Sequence, residues 1–114
     1  MTRNARLFLQ DILNAIEAIE RFVQGLDYQG FVEDDKTSSA VLLKFQIIGE
    51  AAKNIPNNIR DLAPKVPWKE MAGMRDRLVH AYFGVDYRLV WNAIQLSVSQ
   101  IKPEIFMLLQ RLED

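Results

Sequence analysis

The chain has no cysteine, so it forms no disulfide framework, offers no thiolate nucleophile and builds no Cys-type zinc site. Its stability rests on packing, and an intracellular address is the expectation. Long apolar runs are also missing. Nothing approaches the ~20 residues that a membrane-spanning helix needs. Residues 1–13 interleave Arg3, Arg6 and Asp11 with apolar side chains instead of presenting a signal-length hydrophobic stretch with a small-residue cleavage pattern. A cytoplasmic protein with no membrane partner is expected. Neither sign of charge is in excess, fourteen Lys and Arg standing against fifteen Asp and Glu, which argues against a surface given over wholly to nucleic acid. There is a single histidine, so chemistry that needs an imidazole has one place per chain to find it.

With 49% of its 114 residues apolar, the chain has enough hydrophobic content to fold, and a single helical domain spanning residues 1–114 is expected. At this length only about two-thirds of the unfolded surface can be buried, which leaves room for a core completed by a second copy. The charge is unevenly placed. Residues 1–35 hold three Arg and seven carboxylates, whereas residues 60–88 hold six Lys or Arg against four carboxylates and include the histidine. A local polyanion site fits the second segment, and an ordinary surface fluctuation produces the same asymmetry.

Apolar residues recur at helical steps over Asn4–Leu26, through Leu7, Phe8, Ile12, Ile16, Ile19 and Val23. Gly25 and Gly30 then bracket an acidic stretch to Asp35 that reads as a loop or short helical turn. Thr37, Ser38 or Ser39 is placed to cap a second helix carrying Val41, Phe45, Ile48 and Ala52, ended by Pro56. Leu62–Pro67 reads as a connector and Pro67 as the first turn of a helix from Trp68 to about Tyr82, with Gly84 as its stop. Asp86 is placed to cap the last helical stretch, in which Pro103 predicts a kink or a division into two helices. No segment alternates for long in the strand manner. The expected fold class is all-α, an up-down helical bundle of four to five helices, dimeric.

The segment richest in chemistry is Met74–Gly84, which places Arg75, Asp76, Arg77, His80 and Tyr82 within eight positions. On a helix Asp76 sits one turn before His80 and can fix the imidazole tautomer by accepting a ring N–H. Arg75 and His80, five apart, diverge by about 140° on a straight helix. Either the helix loosens near His80, as Gly84 permits, or the Arg of one subunit meets the His of another across a two-fold interface. Such a grouping suits RNA cleavage without a metal. The imidazole serves as base or acid at the 2′- or 5′-oxygen, and the guanidinium fork stabilises the phosphorane charge. No Gly-rich phosphate loop occurs, and Asp76 with His80 supplies only two ligands where metal sites need three or four, so neither cofactor nor metal is expected.

The order Arg75-Asp76, His80, Tyr82 resembles the R-x-x-x-x-H-x-Y signature of HEPN domains, specifically the HepT-like toxins. The stretch Ile48-Gly49-Glu50-Ala51-Ala52-Lys53-Asn54-Ile55-Pro56, Pro67-Trp68 and Met74-Arg75 are similar to the same family in the same order, and the likeness runs over residues 5–112. The resemblance implies a dimerising α-helical bundle that acts as a metal-independent endoribonuclease toxin on RNA. Arg75 and His80 would be the catalytic pair in a cleft between subunits, with Asp76 supporting them. It further implies a minimal nucleotidyltransferase antitoxin of the MntA type as partner. Tyr82 matches the tyrosine that such an antitoxin silences by AMPylation, since phosphate charge and adenosine bulk two residues from His80 would repel and block an RNA backbone. An alternative makes the chain a non-catalytic partner and modification substrate of that nucleotidyltransferase.

Structural roles compete for the same residues. His80 can cap a helix end, Asp76 can pair with Arg77 or Lys69, Arg75 can hold a carboxylate of a partner subunit, and Tyr82 and Phe83 can pack. Trp68 and Trp91 read as buried anchors. Gly49 reads as a close helix crossing, and Glu50 as a salt-bridge partner of Lys53 or Arg75.

Overall fold

The computed structural model describes residues 2–80 and 84–113, with side chains described for residues 4–78 and 84–113. The amphipathic stripe at the N-terminus forms α1 (Thr2–Phe22) and buries Leu9, Ile12, Ile16 and Ile19. The helix stops short of Leu26 because the chain turns at Gly25, whose φ of 81° lies in the left-handed region. Asp27 then accepts from the Gly30 amide at 2.8 Å and starts α2 (Tyr28–Glu33), which drives Phe31 into the core. Of the two readings of the acidic stretch, the helical turn is the one observed.

The second long helix, α3 (Asp35–Lys53), begins ahead of the expected Thr and Ser caps. Asp34 is the cap. One of its oxygens accepts from the Thr37 amide at 3.0 Å and the other from the Thr37 hydroxyl at 2.7 Å. Those two hydrogen bonds, the amide first, hold the Asp34 carboxyl below the ordinary aspartate value. Ser38 is instead buried, its hydroxyl donating to the Asp35 carbonyl. Just past the end of α3 the Arg60 guanidinium donates to the carbonyls of Ala52 and Ile55 at 2.7 and 2.9 Å, the Ala52 oxygen also accepting from the Ile55 amide, so the short α4 (Asn57–Arg60) doubles as a C-terminal cap.

Beyond the connector lie α5 (Trp68–Ala72), α6 (Met74–Leu78), a two-residue antiparallel hairpin of β1 (Val79–His80) and β2 (Gly84–Val85), and α7 (Tyr87–Leu96), capped by Asp86 as expected. A π turn over Ser97–Ile101 joins α7 to α8 (Lys102–Glu113). Pro103 explains the wide turn. It has no N–H for the Ser99 carbonyl, and its ring would strike that carbonyl in an α-helix. The Lys102 amide bonds five residues back to Ser97 instead.

α1 packs along both α3 and α8. Its sense relative to α8 is antiparallel, since Arg6 meets Glu113 at 3.8 Å while Lys102 reaches Glu20 at 2.9 Å and Glu17 at 4.0 Å. The hydrogen bond to Glu20 is the main reason the Lys102 ammonium holds its proton above the ordinary lysine value. The buried side chains of α1–α8 form one cluster, with Phe31, Phe45, Met71 and Ile105 among its largest fully buried members. The fold class is all-α, and among the described residues the only ladder is the short hairpin. No helix there is long and apolar enough to cross a membrane.

Candidate active site

The site is built from the trunk outward. Trp68 is buried and its indole N–H is shared between the carbonyls of Ala63 at 3.1 Å and Arg60 at 3.3 Å, which pins the start of α5 to the end of the α4 connector. On the other side, α5 crosses α3 at Gly49. A Cβ there would stand 3.0 Å from the Met71 carbonyl oxygen, so the close approach read from the sequence is observed. The start and the far end of α5 are thus both fixed before the chain reaches the residues of interest.

The expected continuous helix from Trp68 to Tyr82 is not formed. It breaks at Gly73, resumes for five residues as α6 and ends at Leu78. Met74 and Leu78, one turn apart, are buried, which turns the intervening Arg75, Asp76 and Arg77 to the exposed side. Val79 and His80 are then extended, pairing with Val85 and Gly84 respectively. Gly84 has φ 86°, which an L side chain adopts only with strain, and the Asp86 amide returns to the Leu78 carbonyl at 3.3 Å. The β-branched Val79 and the left-handed glycine favour a hairpin where helical spacing suggests a further turn.

This break corrects the helical relation between Asp76 and His80, because no turn of helix links them. It also removes the geometric obstacle between Arg75 and His80, since the 140° divergence applies only to a straight helix. Of the two alternatives left open, loosening of the helix near His80 is seen in the backbone. The His80 side chain and all of Tyr82 lie outside what is described. Among the described residues neither Arg75, Asp76 nor Glu50 enters an ion pair, so the pairing of Asp76 with Arg77 or Lys69, and of Glu50 with Lys53 or Arg75, is not found. Trp91 is half-buried rather than a fully buried anchor.

Two features beside these residues escaped sequence reasoning. A groove of about 210 Å³ runs between α5, α6 and α7, with Met74, Leu78, Leu89 and Ala93 along it and Glu70, Arg77 and Asn92 contributing polar groups. The exposed Leu96 borders it. The step of four between Met74 and Leu78, matched by Leu89 and Ala93, was its only signal. The second is an aromatic group on α2 and α7 in which the exposed Arg88 lies over the Tyr28 ring, 3.6 Å from its centroid. Lys65, Lys69, Arg75 and Arg77 are exposed as well, but so are Asp61, Glu70, Asp76 and Asp86, while Arg60 is half-buried, so the basic excess of residues 60–88 shrinks to one charge among the exposed side chains.

No solved structure matches the chain. A probable ribonuclease HepT of Thermococcus cleftensis is 47% identical over 102 residues, covering 90% of this chain and 93% of the relative. A putative RNase of Methanocaldococcus jannaschii is 41% identical over 112 residues, covering 98% and 97%. One from Caldanaerobacter subterraneus subsp. tengcongensis is 39% identical over 109 residues, covering 96% and 97%. The family model described as Ribonuclease HepT-like matches residues 12–107, a span that includes α6, the hairpin and both features beside them. The chain therefore belongs to the Ribonuclease HepT-like family.

Proposed function

We propose that the protein is a metal-independent endoribonuclease, the toxin of a toxin–antitoxin pair, working as a homodimer with Arg75, Asp76 and His80 at a cleft between subunits. The observation that carries this reading is the exit of the chain from α6 at Leu78. The backbone of His80 lies on an extended segment that follows the exposed Arg75-Asp76-Arg77 strip after Leu78, so the divergence that a straight helix imposes on positions 75 and 80 does not apply. Membership in the family and the names of its relatives support an RNA substrate. The groove between α6 and α7, lined with apolar side chains beside the strip, supports a second copy as the other wall of the cleft.

In the proposed reaction the 2′-oxygen of one nucleotide forms a bond to its 3′-phosphorus while the bond to the departing 5′-oxygen breaks. One imidazole takes the 2′-hydroxyl proton and the imidazolium of the other subunit gives a proton to the 5′-oxygen. Arg75 spans two phosphoryl oxygens as negative charge accumulates there. Asp76 orients an imidazole by accepting a ring N–H, from its own chain or its partner. Tyr82 is the proposed site of AMPylation by an MntA-like nucleotidyltransferase, whose added charge and bulk would close the cleft to RNA.

Cleavage of a mixed RNA substrate is expected to persist in EDTA and to fall by about 10²–10⁴-fold in His80→Ala, with Arg75→Ala similarly impaired. Cleavage that requires a divalent ion, or that survives His80→Ala undiminished, would refute the mechanism. An increase in intact mass by one AMP group in the presence of the nucleotidyltransferase and ATP, lost in Tyr82→Phe, tests the silencing step.

A further inference from the structure

Four aromatic rings gather where α2 meets α7, the helix that begins two residues after the hairpin strand paired with His80. Phe31 is fully buried and forms their base. It packs edge-on to Tyr87 at 6.2 Å and tilted against Trp91 at 5.3 Å, and Trp91 meets Tyr28 edge-on at 6.2 Å. Tyr28, Tyr87 and Trp91 are each only half-buried, so the group is not an interior core. Arg88, exposed, lays its guanidinium over the Tyr28 ring at 3.6 Å. A long, flexible cation is thereby held flat at the surface at the cost of its rotamer freedom.

Two helix-capping carboxylates adjoin this group in sequence, Asp27 before Tyr28 and Asp86 two residues before Arg88. They offset the local positive potential, so the arrangement is poorly suited to capture phosphate by charge alone. Its plane suits the π face of a nucleobase. Unpaired RNA bases stack on aromatic rings and on guanidinium planes, with little dependence on sequence. The placement relative to the proposed chemistry is close. His80 pairs with Gly84, and the four peptide units from Gly84 to Arg88 span at most about 15 Å. A single strand lying across the site would reach both within a few nucleotides.

We propose that Tyr28, Arg88 and Trp91 form a stacking subsite for an unpaired base of the RNA, a few nucleotides from the phosphodiester addressed by Arg75 and His80. The proposal rests on the ribonuclease reading and names the substrate form, single-stranded at that point. Trp91 and Trp68 are the chain's two tryptophans. Trp68 is buried and tied to two carbonyls, so quenching of indole emission on binding reports Trp91.

The test titrates full-length His80→Ala protein, which holds RNA uncut, with short oligoadenylate and oligouridylate, and measures KM and kcat for the cutting protein in parallel. Quenching is expected with the single strands and not with a blunt duplex of the same length, and it should disappear in Trp91→Phe. Arg88→Ala, an exposed substitution that leaves the core intact, should weaken single-strand binding by about 5- to 150-fold, with the loss in KM rather than kcat. Arg88→Lys should fail to restore it, because lysine returns the charge and not the plane. Full rescue by lysine, unchanged emission while RNA is still cut, or a response to the nucleotidyltransferase alone would each overturn the stacking subsite while leaving the ribonuclease reading in place. Failure of the wild-type protein to bind or cut any RNA would overturn both.

Discussion

Replacement of Gly49 by alanine tests how the trunk of the bundle sets the position of the candidate site. In an unobstructed helix interior the exchange stabilises by about 1 kcal/mol, because alanine loses less backbone freedom on folding. At Gly49 the new methyl would lie 3.0 Å from the Met71 carbonyl oxygen and 3.6 Å from that of Ala72. These are backbone atoms, and Met71 is fully buried, so the strain cannot be relieved by rotating a side chain. α5 itself has to move away from α3. Overpacking of this kind costs about 1–3 kcal/mol, which outweighs the gain in propensity and leaves a net loss of about 1 kcal/mol. For a domain of this size that lowers the urea midpoint by roughly 0.5 M at unchanged m. Because α5 leads through Gly73 into α6, the same displacement should move Arg75, and cleavage should fall by more than the small increase in unfolded protein explains. Urea melts followed by circular dichroism, with RNA cleavage assayed at a temperature where both proteins are fully folded, measure the two effects. A variant more stable than the parent would refute the crossing argument, and a destabilised variant with full activity would refute the coupling to the site.

Gly84→Ala meets no atom of the described residues within 4 Å, and the cost of φ 86° for an L-residue is about 1–2 kcal/mol. Thermal melts should show that loss, and cleavage should drop as the His80 pairing is disturbed. Trp68→Phe removes the N–H shared by the Ala63 and Arg60 carbonyls, and should cost about 1–3 kcal/mol in a urea melt, with its refutation a variant as stable as the parent. The depressed Asp34 carboxyl contributes stability that is present above the ordinary value of 3.8 and is lost as pH falls through its lower folded value. Asp34→Asn should flatten that part of the stability-versus-pH curve, as read from urea midpoints across the acid range.

The long helices were legible because their stripes are long. Leu9 to Ile19 and Val90 to Leu108 repeat the helical period over several turns, and Asp86 followed by an apolar run is a cap in sequence as in structure. Shorter decisions were not. Asp34 displaced three plausible hydroxyl caps because a carboxylate can take both the amide and the hydroxyl of Thr37, a choice that residue type alone leaves open. At the candidate site the identities of Arg75, Asp76 and His80 were readable, whereas their geometry was not. Periodicity continues through Leu78 and Ala81, so it cannot register that Gly73 breaks the helix or that Gly84 turns the chain back to pair with His80. The Tyr28–Arg88 contact joins residues sixty positions apart and left no trace in local spacing.

The π turn at Ser97–Ile101 has a consequence for chain length. α8 is held in azimuth at both ends, by Lys102 on Glu17 and Glu20 and by Arg111, which donates to the Leu62 carbonyl at 3.1 Å. A π turn takes up one residue more than an α turn, so loss of one residue between 97 and 101 lets the turn close as α-helix with α8 near its present azimuth, at the cost of the Pro103 ring meeting a carbonyl. One residue added there would instead rotate everything downstream by about 100° around the helix axis, swing both anchors off their partners and turn Ile105 and Leu108 out of the interior. Single-residue insertions in this stretch, where Ser97 and Ile101 are themselves buried, should therefore disrupt the bundle far more than single-residue deletions.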